Sequence, residues 1–139
     1  MADTAVVFWS GTGNTKIMAE SIASGLRAAG AEADVFEVPN VSAADIAGHA
    51  KIAFGCPSMG NEVLEEEEFE PFFAEAEKSL SGKKTALFGS YGWGDGEWMR
   101  DWAARAKTAG AVLFDDGLIV QETPDEAACQ DYGRRFAAF

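Results

Sequence analysis

The feature that most constrains this chain is an alternation that runs its whole length. Short apolar runs with β-branched and aromatic residues are followed, again and again, by longer segments with helical spacing. The runs are Thr4 to Trp9, Ala33 to Val38, Lys51 to Cys56 and Thr85 to Gly89. Ala111 to Phe114 and Leu118 to Val120 read as one last strand interrupted at Asp115, Asp116 and Gly117. Continuous short apolar runs suit parallel strands buried on both faces. Between them, Met18, Ile22, Leu26 and Ala29 share one helical face, as do Phe69, Phe72, Phe73, Ala76 and Leu80. Trp98, Trp102 and Ala106 form a third stripe, and Cys129, Tyr132 and Phe136 a fourth. Ser42 to Gly48 is expected to hold a short helix, and Thr123, Pro124 and Glu126 read as cap, first helical residue and capping box of the last one. The order βαβαβαβαβα predicts a parallel sheet with helices on both sides, an α/β fold with right-handed crossovers. No repeat or linker divides it, so residues 1–139 are expected to form a single domain.

Ligands of such open sheets bind at the carboxyl ends of the strands, where the winding reverses. The loops after strands one, three and four therefore carry the argument. The first is Ser10-Gly11-Thr12-Gly13-Asn14-Thr15, leading into a helix. Its glycines let the backbone curl with N–H groups inward, and the helix start adds its positive end. Ser10, Thr12, Asn14 and Thr15 add side-chain donors. A nucleoside-triphosphate loop would end in Gly-Lys-Ser/Thr, and a dinucleotide fingerprint would need glycine at Lys16. Neither is present. A monophosphate is the favoured ligand, against the plainer reading of a tight strand-to-helix turn.

The second loop is Pro57-Ser58-Met59-Gly60-Asn61-Glu62. On its own residues it reads first as a surface turn in which Met59 covers core, although methionine also packs well on flat rings. The third, Ser90-Tyr91-Gly92-Trp93-Gly94-Asp95-Gly96, surrounds a tryptophan with three glycines. Such a residue is poorly placed for a core and suits a platform for a flat ligand, against the plainer reading of a tryptophan folded back over the sheet edge.

The segment Trp9 to Thr15, the Met59-Gly60-Asn61-Glu62 turn and the run Ala86 to Arg100 together resemble the flavodoxins, specifically the short-chain clostridial type. The resemblance covers essentially the whole chain. It implies a flavodoxin-like doubly wound five-stranded sheet in the order 2-1-3-4-5. It implies one non-covalently bound FMN, with Ser10, Gly11, Thr12, Gly13, Asn14 and Thr15 around its phosphate. Met59 would pack on the inner face of the isoalloxazine and Trp93 on the outer face. The Gly60 peptide would turn over on reduction to meet the N5–H of the semiquinone, and Glu62 would accept from the flavin N3–H. Pro57, Ser58, Asn61, Tyr91, Gly92 and Gly94 complete these walls. Ser90 is expected at the ribityl chain, and Gln121 sits where related proteins contact the cofactor. Some relatives carry Asp where Asn61 stands, and serine where Pro57 stands.

Composition bears on what such a chain could meet. The net charge is −12, from 23 acidic against 11 basic residues. Nucleic acid and anionic membranes would repel that surface, while positively faced proteins would be drawn to it. No apolar run approaches the roughly 18 residues that span a bilayer, and no signal peptide is evident, so the expected place is the cytoplasm. Cys56, Cys129 and His49 are too few and too scattered for a zinc site, and no catalytic triad is evident. Glu62, Glu65, Glu66, Glu67, Glu68, Glu70, Asp95 and Glu97 cluster near the second and third loops. Negative charge there would disfavour an anionic reduced flavin, although acidic residues at a helix entry are also ordinary. The expectation is a monomeric low-potential one-electron carrier, cycling between semiquinone and hydroquinone. By resemblance, its partners are ferredoxin-using oxidoreductases. The alternatives are an FMN-dependent quinone or nitro reductase and, far behind, a phospho-acceptor domain, which would need acidic residues where Trp9-Ser10 and Cys56-Pro57 stand.

Overall fold

A computed structural model describes residues 2–139. The strands are β1 (Thr4–Phe8), β2 (Ala33–Glu37), β3 (Lys51–Gly55), β4 (Lys84–Tyr91), β5 (Val112–Leu113) and β6 (Leu118–Gln121). The helices are α1 (Asn14–Ala28), α2 (Ala43–Ile46), α3 (Phe69–Ala76), α4 (Glu97–Thr108) and α5 (Glu126–Ala137). Every strand pairing is parallel, in the order β2-β1-β3-β4-β5. The last position is filled twice: Lys84 and Thr85 of β4 face β5, and Phe88 to Tyr91 face β6. The break at 114–117 is the interruption expected from Asp115, Asp116 and Gly117, with Asp115 and Gly117 both at positive φ.

Alternation along the strands sorts the core into two layers. Val6, Phe8, Ala53, Ala86 and Phe88 point to α1 and α5. Ala5, Val7, Phe54 and Leu87 point to α3 and α4, against Phe69, Phe73, Trp98 and Trp102. The helical stripes are buried as their spacing demands: Met18, Ile22 and Leu26 are fully inaccessible, as are Cys129 and Phe136, and Tyr132 nearly so. Ala29 is the exception; it is the C-cap of α1 and exposed, because the helix stops one residue short of it. Helices α1 and α5 touch backbone to backbone. A Cβ on Gly133 would lie 2.2 Å from the Ile22 carbonyl oxygen, and one on Gly25 2.0 Å from that of Gln130.

Two element boundaries differ from expectation. Helix α5 starts two residues late: its N-cap is Asp125, whose carboxylate accepts from Ala128 N–H at 3.1 Å. Thr123 and Pro124 lie outside it. An Asp three residues before a free N–H competes equally well as a cap, and here it takes the site. Helix α3 ends at Ala76 and tightens into a 3-10 turn, Glu77–Ser79, which still delivers Leu80 to the core. The short α2 falls within the expected Ser42 to Gly48 segment, and Ser42 and Asp45 form a full capping box on it.

Candidate functional site

The carboxyl ends of β1, β3 and β4 lie side by side, tied by Trp9 N–H to Gly55 O, Cys56 N–H to Phe88 O and Ser58 N–H to Ser90 O. The three loops therefore meet at one edge. Between them lies a cleft of about 260 Å³, lined by Trp9, Gly11, Thr12, Asn14, Pro57, Ser58, Met59, Ser90, Tyr91, Gly92 and Glu122. Nine of these eleven are among the residues singled out from the sequence; Trp9 and Glu122 are additional.

The first loop is shaped for an anion. Gly13 sits at φ +102° and lacks a side-chain capping bond. The Ser10 hydroxyl oxygen accepts from Gly13 N–H at 3.1 Å and Lys16 N–H at 3.3 Å, which curls the loop and leaves the hydroxyl proton free to donate. Ile17 N–H bonds Gly13 O. The amides of Asn14 and Thr15 fall in the first helical turn, where no intrahelical acceptor exists. The positive end of the α1 dipole is therefore presented with two free N–H groups. Thr15 is buried, its hydroxyl 3.3 Å from that of Ser90, so the first and third loops touch through a hydroxyl pair.

The second loop is a tight hairpin closed by Met59 N–H to Val63 O at 2.8 Å and Val63 N–H to Met59 O at 3.0 Å. Gly60 (φ +50°) and Glu62 (φ +56°) turn its tip. Met59 is 37% exposed. In the third loop Trp93 is 63% exposed, the most exposed of the large apolar side chains. The indole is an open apolar face on the residue that follows Gly92 of the cleft lining. These observations fit FMN: free helix-terminal amides for a phosphate, a partly apolar cleft, and open Met59 and Trp93 faces for a flat ring.

Several of the expected contact residues also make bonds within the protein. The Glu62 carboxylate accepts from Gly96 and Glu97 N–H, the start of α4, and is not among the cleft-lining groups. Gln121 donates to Gly92 O at 3.3 Å, holding the third loop. Gly94 is set by Glu62, whose carboxylate occupies the space of a Cβ. The acidic cluster is also partly committed. Glu65 is 7% exposed and accepts from the N–H groups of Glu67, Glu68 and Phe69 at 2.7–2.9 Å. Burial works against its charge, but those three donors outweigh it and hold the carboxyl below the usual carboxylate range. Glu68 accepts from Trp9 Nε1–H at 2.8 Å. Glu70 and Glu77 grip Arg105, which also lies over Phe73. Asp95 pairs with Arg100, whose hydrogen bond pulls its carboxyl down. Glu66, Glu67 and Glu97 stay exposed.

Cys56 is a buried free thiol behind the second loop; burial pushes it far above an ordinary cysteine, which makes it inert. His49 lies before β3, its ring between Ile46 O and Asp34, at the opposite edge of the sheet. Among the described residues no group of three or more His, Cys, Asp or Glu could hold a metal ion.

Trp9 was legible as an aromatic ending a strand just before a glycine loop. Glu122 carried no signal of its own; only the pairing of Tyr91 with Gln121 puts the next residue at the cleft.

The family model for flavodoxins matches residues 6–133. The chain is 48% identical over 134 residues to a flavodoxin of Clostridium beijerinckii, covering 95% of this chain and 97% of that one. It is 44% identical over 133 residues to a flavodoxin of Megasphaera elsdenii, covering 95% and 96%. The fold superposes on the solution structure of two-electron reduced Megasphaera elsdenii flavodoxin with a TM-score of 0.90 and 42% identity, covering 98% of this chain and 99% of that one. The carboxyl-edge cleft, the sheet order and this extent of identity agree: the chain belongs to the flavodoxin family, the FMN-binding electron carriers.

Proposed function

We propose that the cleft between the three loops is the FMN site of a single carrier domain, residues 1–139, and that its own side chains set how readily an electron enters and leaves. The observation that carries this is the α1 start, where the amides of Asn14 and Thr15 lack intrahelical acceptors and Asn14 lines a partly apolar cleft. Bound FMN supplies one-electron chemistry that no side chain of this protein offers.

The residues divide the task. Asn14 and Thr15 amides, with the hydroxyls of Ser10 and Thr12 and the Gly11–Gly13 backbone, hold the phosphate without a countercharge. Ser58, Ser90, Tyr91 and Gly92 line the passage from that cradle to the ring. Met59 and Trp93 exclude water from the ring faces. Gly60, in the left-handed region, leaves the Gly60–Asn61 peptide free to present either a carbonyl or an N–H, so the chain can answer a change of protonation with a change of hydrogen-bond polarity. Only such differential contact shifts a redox equilibrium. Carboxylates around the cleft disfavour a gain of negative charge there and so favour a low potential.

Partners are positively faced redox proteins such as ferredoxin-using oxidoreductases, drawn to the acidic rim for a brief encounter by a monomeric carrier in the cytoplasm. No helix among the described residues is long and apolar enough to cross a membrane.

Titrating FMN-free protein with FMN and with riboflavin tests the site. The phosphate cradle predicts much tighter binding of FMN. Equal affinity for the two would overturn the assignment of the first loop.

A further inference from the structure

We infer that Glu62 is a positioning residue whose carboxylate caps helix α4 from the second loop and locks the Met59 turn to the Trp93 turn, so that the two walls of the cleft are held as one unit. Helix α4 begins after Gly96 and has no side-chain cap of its own. Its orphan N–H groups are met from 34 and 35 residues away: Glu62 Oε1 accepts from Gly96 N–H at 3.3 Å and from Glu97 N–H at 3.0 Å. Glu62 as a residue is 9% exposed, and a buried carboxylate needs such partners. It also lies at the N-terminal, positive end of the α4 dipole.

The surrounding backbone is built around this contact. Glu62 has φ +56°, a conformation that costs a residue with a Cβ and persists only where neighbours fix it. Gly94, at φ +87°, leaves room that a methyl would take: a Cβ there would lie 2.4 to 2.6 Å from the Glu62 carboxylate atoms. The Trp93-to-Gly96 turn is thus wrapped round the carboxylate. At the base of the hairpin the Met59–Val63 bridge fixes the strands, and two residues further on Glu65 caps α3 in the same manner. Helix α3 likewise lacks a side-chain cap from its own N-cap residue. The connection between β3 and α3 therefore supplies side-chain caps to both α3 and α4.

The tie itself does not depend on what fills the cleft; its bearing on binding rests on the FMN reading above. If the walls are joined, a ring entering between Met59 and Trp93 meets a preformed gap, and ordering costs are lower.

Amide hydrogen exchange in FMN-free protein tests the tie directly. Glu62→Ala should speed exchange at Gly96 and Glu97 by roughly tenfold, the scale of a lost N-cap. Glu62→Gln keeps an acceptor oxygen and should restore most of the protection. Gly94→Ala, which displaces the carboxylate without removing it, should expose the same two amides, and the double variant Glu62→Ala/Gly94→Ala should loosen them less than the singles combined. The FMN dissociation constant should then rise in the order wild type, Glu62→Gln, Glu62→Ala. Unchanged exchange at Gly96 and Glu97 in Glu62→Ala would overturn the tie, whatever FMN does. Acceleration spread evenly over β1, β3 and β4 would count against it equally. Weaker FMN binding with unchanged exchange would leave Glu62 a direct ligand contact and refute the positioning role, while leaving the FMN site itself intact.

Discussion

Trp93→Ala separates ligand binding from folding more cleanly than any other single change. In the FMN-free fold Trp93 is 63% exposed on a loop with glycine on either side, so the indole contributes little packing. Exposed substitutions of this kind shift stability by no more than about 0.5 kcal/mol. Against a flat heteroaromatic ring the same indole is worth about 1–3 kcal/mol. At 1.4 kcal/mol per decade, that predicts an FMN dissociation constant raised about 5- to 150-fold. Flavin fluorescence quenching gives the affinity, and urea denaturation of FMN-free protein gives the stability. The expected pair is weaker binding with an unmoved midpoint. Undiminished affinity would refute stacking, and a large drop in stability would show that Trp93 belongs to the core after all.

Gly133→Ala should destabilise the FMN-free protein, because its Cβ would fall 2.2 Å from Ile22 O. Overpacking costs about 1–3 kcal/mol, more than the helix-propensity gain of up to about 1 kcal/mol, and a raised urea midpoint would contradict the close α1–α5 contact. Asp125→Ala should cost about 0.5–2 kcal/mol as a lost N-cap while Thr123→Ala costs almost nothing; the reverse would move the start of α5 back to Thr123. Glu65 is held below its unfolded value of about 4.3, so its contribution is complete above that pH and fades as pH falls through the folded value. Wild type should therefore exceed Glu65→Gln in stability at pH 7, with the gap closing below about pH 4; a gap that widened in acid would reverse the sign.

How much could be read beforehand follows the range of the interactions. The βα alternation and the buried stripes depend on local spacing, and Met18, Ile22, Leu26, Trp98, Trp102, Tyr132 and Phe136 fall where that spacing puts them. The division of the last strand was visible in Asp115-Asp116-Gly117 because turn chemistry is local. The start of α5 was misplaced by two residues because Thr123 and Asp125 are both good caps, and which one wins depends on how the chain leaves β6. At the site, the loops that meet were legible, but the partners of their carboxylates were not. Glu62 reaches α4, Glu68 reaches Trp9, and Glu70 reaches Arg105, each across 34 to 59 residues of sequence. A cluster that reads as uniform negative charge is in fact divided between caps, ion pairs and a few free carboxylates. Glu122 enters the cleft wall only through strand register, which no local pattern encodes.

The central claim is that this protein moves electrons singly through FMN held in the three-loop cleft. Stepwise anaerobic reduction of the FMN-loaded protein, followed by visible absorption, tests it most directly. The account predicts a broad long-wavelength band that grows with the first electron and vanishes with the second. Direct passage from yellow to bleached, with no such band, would contradict it.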